Sequence, residues 1–252
     1  MFLGKLSKYN QIAKNNCKMV FPNLNENEIT KIINNSWKNL GHNLFELTFL
    51  KRILNSKNKI EIKGLEVLKQ IRKENLPVIF FSIHSSNWEI CVPFLDQNDF
   101  KIGAIYRHIN NTFFNKYIYK QRKDALKTND SFYTPKGKVS AKEILEGIIN
   151  NKNIFLLVDQ KDSAGNEVSF FGKKVKTQIG FLKIARKYKL KLVPMKNIRL
   201  PNNKLQITFE KPLLHNNDEI SDEKKMLEIN SIIEKWIMEN PDNWFWQHKR
   251  FN

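Results

Sequence analysis

A chain of 252 residues, 41% hydrophobic and 12% aromatic, has the material for a large buried core and is not a disordered tail. Its 43 Lys and Arg against 25 Asp and Glu leave a formal charge of +18. That charge calls for an anionic partner: nucleic acid, an acidic membrane surface, phosphorylated lipid or an acidic carrier protein. No nucleic-acid-binding motif accompanies it, no apolar run approaches the roughly 20 residues of a membrane span, and no signal peptide is visible at Met1.

Cys17 and Cys91 stand alone in apolar surroundings, which fits a reducing compartment without disulfides. Residues 1–20 read as a basic, mildly amphipathic helix. It either lies on an anionic membrane surface or packs on the domain. Phe21-Pro22 breaks it, Asn25-x-x-Glu28 caps a second helix, and Ile29, Ile32, Ile33, Trp37, Leu40 and Leu44 recur at helical spacing. Ile60–Gly64 reads as a short strand and turn, and Leu65–Lys73 as a helix.

The run Leu76-Pro77-Val78-Ile79-Phe80-Phe81-Ser82-Ile83-His84 is nearly unbroken apolar sequence. It predicts a strand buried on both faces of a parallel sheet. His84 then stands at the carboxyl end of a strand, where open α/β sheets place their ligands. A helix starting near Trp88 leaves unpaired N–H groups for developing negative charge. A base, a nearby carboxylate in Glu89 and an anion-stabilising corner are the parts acyl transfer needs. The same residues have a plainer reading, in which Ser86-x-x-Glu89 is a capping box and His84 an ordinary buried histidine. A metal site is disfavoured, since residues five apart sit roughly 140° apart on a helix.

Further strands follow at Lys101–Tyr106, ending on Arg107, at Ser131–Thr134, ending on Pro135-Lys136-Gly137, and at Asn153–Val158, ending on Asp159-Gln160. Helices lie between them at about 111–126, with Phe113, Phe114, Tyr117 and Ile118 as the apolar side, and at Val139–Asn150. Arg107 is placed to grip phosphate bidentately or is a surface Arg of a basic protein. Lys136 and Gly137 suit a phosphate or oxyanion, or form a plain turn. Asp159 orients site groups or caps the next segment. Ser163–Asn166 reads as a loop and Val168–Val175 as an extended excursion through Phe170-Phe171-Gly172. Helices at Thr177–Tyr188 and Ser221–Glu239 and strands at Lys191–Ile198 and Leu205–Glu210 complete the domain. The tail Trp244–Phe251 mixes aromatic and basic residues. It packs back on the domain, or sets Lys249 and Arg250 beside a lipid entrance.

His84-x-x-x-x-Glu89, with Asn87 and Trp88 inside it, resembles the motif of the bacterial lipid A late acyltransferases, the lauroyl/myristoyl transferase family. Tyr106-Arg107, Pro135-Lys136-Gly137, Asp159-Gln160 with Phe170-Phe171-Gly172, and Trp246–Phe251 match in the same order. The resemblance implies an α/β fold, a mainly parallel mixed sheet flanked by helices and similar to the glycerolphosphate-acyltransferase fold. It covers one domain, with an N-terminal helical segment (1–55) and a catalytic core (56–252). It implies His84 as general base with Glu89 as its partner, and Asn87, Arg107, Lys136, Gly137, Asp159 and Gln160 at the substrate site.

The reaction so implied moves an acyl chain from an acyl carrier protein or coenzyme A thioester to a hydroxyl of a phosphorylated lipid A precursor. It uses no cofactor and no metal, and takes place at the cytoplasmic face of the inner membrane with no nucleic acid involved. Family members usually begin with a spanning helix, and this sequence reads as starting just after it. Ser85-Ser86 replaces the family's aromatic residue and glycine, and Lys161 an acidic or small residue. A lysophospholipid acyltransferase, or a non-catalytic basic protein binding membranes or nucleic acid, is the alternative.

Overall fold

The computed structural model describes residues 7–109, 111–215 and 220–251; the first six residues of the expected N-terminal helix lie outside them. A seven-stranded, mostly parallel sheet carries the order β1-β9-β8-β2-β5-β3-β4. Its strands are β1 Ile60–Lys63, β2 Val78–Ser82, β3 Ile102–Tyr106, β4 Phe132–Pro135, β5 Asn153–Leu157, β8 Lys191–Arg199 and β9 Leu205–Phe209. Only β8 and β9 pair antiparallel. A separate antiparallel hairpin, β6 Lys161–Phe170 with β7 Lys173–Thr177, projects after β5.

All five residues of β2 are buried, because the strand is central and covered on both faces. Alternate side chains serve opposite sides. Ile79, Phe81 and Ile83 join one core with helices α1 (Lys8–Val20), α2 (Glu26–Glu46), α8 (Gly180–Tyr188) and α9 (Asp222–Glu239). Val78 and Phe80 join the other with α4 (Leu65–Glu74), α5 (Cys91–Gln97) and α6 (Thr112–Asp124). At about 1.5–3 kcal/mol for each buried large apolar side chain, this run holds β2 in the middle of the sheet. Cys17 and Cys91 are free and belong to these opposite cores.

Short helical elements fill the remaining connections: α3 (Leu50–Leu54) after a 3-10 turn at Leu47–Phe49, and α7 (Lys138–Ile149) between β4 and β5. At α2 the expected capping box forms, with Asn25 Oδ1 accepting from the N–H of Asn27 and Glu28 and Glu28 accepting in return. Gly64 enters α4 at φ 73, and a Cβ there would meet the Phe209 carbonyl at 2.0 Å.

Four local expectations change or sharpen. Ser163–Asn166 is not a loop but part of β6, interrupted by a bulge. Val168–Val175 is a hairpin turning at Phe171-Gly172, both with positive φ. The helix after it begins at Gly180, not Thr177. On α6, the expected apolar side is split: Ile118 is buried, while Phe113 and Phe114 are 76% and 56% exposed.

Candidate active site

Parallel pairing of β2 with β5 sets Ser82 opposite Leu157, and the N–H of Val158 donates to the Ser82 carbonyl at 3.0 Å. Two residues further along each strand stand His84 and Asp159. The register therefore brings the imidazole and this carboxylate together at the carboxyl edge of the sheet. Asp159 Oδ1 lies 2.7 Å from His84 Nδ1, and Oδ2 accepts the His84 backbone N–H at 3.0 Å and the Trp244 indole N–H at 2.8 Å. The Asp159 side chain is fully buried and that of His84 17% exposed, so only the imidazole reaches a substrate.

Burial opposes the charge on Asp159, but adjacent His84, its hydrogen bond, His248 and the Trp244 N–H outweigh it. Together they hold the carboxyl well below the usual carboxylate range. An ionised carboxylate only accepts, so His84 Nδ1 carries the proton and Nε2 presents a lone pair. At 3.2 Å from Nε2 sits the side-chain nitrogen of Gln160, a donor in the position an incoming hydroxyl would take. The arrangement suits proton abstraction.

Glu89, the partner that the resemblance implies for His84, has other hydrogen-bond partners among the described residues. Its carboxylate receives two 2.6 Å hydrogen bonds from Arg122 of α6 and one of 3.1 Å from the Trp88 indole N–H. Burial works against the Arg122 charge, yet Glu89 more than compensates and raises its pKa. Tyr106 and Tyr133 lie 5.7 and 6.0 Å from the guanidinium. Trp88 packs its ring on His84, 5.2 Å between centroids, while its indole N–H reaches Glu89. The capping box is absent too: a short 3-10 turn starts at Trp88 with no side-chain cap, and Ser86 takes a left-handed φ of 51°.

Of the remaining expected residues, Asn87 is fully buried. Its amide nitrogen donates to Glu46 at 2.9 Å, and its carbonyl accepts from Asn197. It pins the turn after His84 to α2 and β8. Arg107 is exposed at the end of β3 and makes no hydrogen bond or ion pair among the described residues. Two strand spacings separate β3 from β2, roughly 10 Å across the sheet edge. Lys136 lies one strand beyond, its backbone N–H bonded to the Tyr106 carbonyl and its ammonium 3.2 Å from Asp162. Gly137 faces open space. The structure thus joins His84, Asp159 and Gln160 directly and ranges Arg107 and Lys136 along the same edge.

Two contributors escaped the sequence reading. Arg122 sits in the last turn of its helix beside Lys123, with nothing local to mark it. Trp244 belongs to the aromatic tail, and only its partner distinguishes it. The tail folds back along the site: Ser85 bridges Trp244, and the Phe245 N–H donates to the His84 carbonyl at 2.9 Å. His248 stacks on Phe245 with its Nε2 shielded and without a hydrogen-bond partner among the described residues, and burial pushes its pKa down. Arg250 packs back on the domain. It is buried over Phe170, bonded to Lys176 and Thr177, and burial lowers its pKa to about 10.

No curated protein matches the chain. The family model described as bacterial lipid A biosynthesis acyltransferase matches residues 1–252, the whole length. On that match the chain belongs to the bacterial lipid A biosynthesis acyltransferases.

Proposed function

We propose that this acyltransferase moves a fatty acyl group from a thioester, carried by acyl carrier protein or coenzyme A, to a hydroxyl of a phosphorylated lipid A precursor. His84 Nε2 takes the hydroxyl proton, and the oxygen attacks the thioester carbonyl. The tetrahedral intermediate collapses with loss of thiolate, which recovers the proton from the imidazolium. One ester forms, one thioester breaks and one thiol leaves; the route needs no acyl-enzyme and no cofactor. Arg107 is assigned to an acceptor phosphate, because it is exposed at the end of a strand two places from that of the base, with no hydrogen bond or ion pair among the described residues. Lys136 and Gly137 lie beyond it on the same side.

The observation that carries this reading is the Nε2 lone pair at the sheet edge, backed by a buried carboxylate. Replacing His84 by Ala should lower acyl transfer by about 10²–10⁴-fold while leaving vesicle binding intact. Equal transfer by the variant would overturn it. Offering a lysophospholipid in place of the lipid A precursor tests the acceptor class.

The proposed location is the cytoplasmic face of the inner membrane, held peripherally. No helix of the described residues is long and apolar enough to cross a membrane. Phe45, Phe113 and Phe114 are 68%, 76% and 56% exposed. Helix α6, which carries the last two, leaves the same sheet edge as Arg107. Exposed rings on a chain of charge +18 suit an anionic lipid surface.

A further inference from the structure

We propose that the C-terminal tail is a strap that sets the position of the base, and that Ser36 and Asn16 of the N-terminal helices hold the strap in place. Trp244, Ser36 and Asn16 are then positioning residues for acyl transfer, although all three are buried. This rests on the reading of His84 as the base.

The strap grips the end of β2 through main chain and side chain together. The Ser86 N–H donates to the Asn243 carbonyl and the Phe245 N–H to the His84 carbonyl, each at 2.9 Å. Residues 243–245 thus pair with residues 84–86 as a short antiparallel ladder, with Ser85 opposite Trp244. That ladder fixes His84 relative to the sheet edge. Between its two bonds stands Trp244, whose indole N–H reaches Asp159 Oδ2 at 2.8 Å. One segment therefore sets both where His84 stands and where the carboxylate beside it points.

Irregular backbone near a chain end frays unless something ties it down. Here the ties come from α1 and α2. The Ser36 hydroxyl donates to the Trp244 carbonyl at 2.6 Å. The Asn16 amide donates to the carbonyls of Trp246 and His248, each at 2.8 Å. Ser36 is 2% exposed and Asn16 3%, and they share their helices with the core residues Ala13, Cys17, Ile32 and Ile33. A polar side chain in such a setting is unfavourable unless it is hydrogen-bonded. Both N–H donors of Asn16 and the hydroxyl of Ser36 go to alternate carbonyls of the strap, where apolar packing alone would need neither. The N-terminal helices thus reach the active site without lending it a group. Helix donors hold the strap, the strap's indole holds the carboxylate, and the carboxylate holds the imidazole.

The experiment measures kcat, KM, the pH–rate profile and Tm of the full chain with an acyl thioester and a lipid A precursor, well below every Tm. Trp244→Phe keeps a ring and removes the N–H. A misplaced catalytic group costs up to about 10²-fold in rate, so kcat should fall by about 10-fold to 10²-fold with KM within a few-fold. Stripping a donor makes the carboxylate a stronger acceptor and favours the imidazolium, so the acid limb should move to higher pH. Ser36→Ala and Asn16→Ala alter residues without a bond to His84 or Asp159, and should move kcat and the limb the same way by less. Adding Ser36→Ala to Trp244→Phe should cost little beyond Trp244→Phe alone, because the hydroxyl acts through the indole. His248 and Arg250 are the other titratable groups beside the carboxylate, and no variant alters either. A lowered Tm with kcat and limb unchanged in Trp244→Phe and Ser36→Ala would overturn the proposal and leave the strap a structural tie. So would losses of kcat that multiply in the double variant. Full activity in His84→Ala would instead overturn the reading of His84.

Discussion

The indole N–H of Trp244 donates to Asp159 Oδ2 over 2.8 Å, tying the C-terminal tail to the carboxylate behind His84. A strand end, a second strand end and the tail thus meet on one side chain. The consequence for acid stability is direct. Asp159 is held below its ordinary value of 3.8, so the unfolded chain binds its proton first as pH falls. Its stabilisation is complete above about pH 4 and is lost as pH drops toward the depressed folded value. Asp159→Asn should cost about 1.5–3 kcal/mol at pH 7. The gap from wild type should narrow below pH 4, as read by denaturant unfolding across pH.

Glu89 and Arg122 expose only 12% and 14% of their side chains. Removing one partner strands a buried charge, so Glu89→Gln or Arg122→Met should each lower stability by about 3–5 kcal/mol. The double variant should be markedly less damaged than the sum of the two, because no uncompensated charge remains. A double-mutant cycle in urea measures the difference.

Ser86 occupies a left-handed φ of 51° with a buried hydroxyl that has no hydrogen-bond partner among the described residues. Ser86→Gly removes both penalties and should stabilise the protein by about 1 kcal/mol, raising Tm by roughly 2–4 °C. Calorimetry of the pair gives the answer. An unchanged or lower Tm would mean that the extra freedom of glycine in the unfolded chain cancels the gain.

Arg107 should act on binding. Arg107→Lys keeps the charge but loses the planar fork, so KM for the phosphorylated acceptor should rise severalfold with kcat nearly constant. Separate titrations of acceptor and donor check this, and an effect confined to the donor would move Arg107 to the thioester side.

Vesicle binding should have two separable components. On anionic vesicles, about 0.5 M salt should weaken it as the Debye length falls to roughly 4 Å. Replacing Phe113 and Phe114 together by Ser should weaken it at every salt concentration, because apolar burial is not screened. Sedimentation with anionic and neutral vesicles distinguishes the two. Retention unchanged in the Ser variant would remove α6 from the contact.

The α/β order, the central strand and the carboxyl-end position of His84 were legible from the chain alone, because a strand buried on both faces must be apolar throughout and stop at its polar end. Local capping was equally legible at Asn25–Glu28, where donor and acceptor lie three residues apart. What tertiary structure decided was partnership. His84 and Glu89 are five residues apart, yet their hydrogen bonds go to different partners, Asp159 for His84 and Arg122 for Glu89. His84 and Asp159 are 75 residues apart and touch because β2 and β5 pair in a register no local pattern encodes. The same holds for Arg122 and Trp244, whose neighbours in sequence say nothing of the carboxylates they meet. Spacing determines which groups stand near a strand end, whereas strand register and the packing of distant elements determine which of them share a proton.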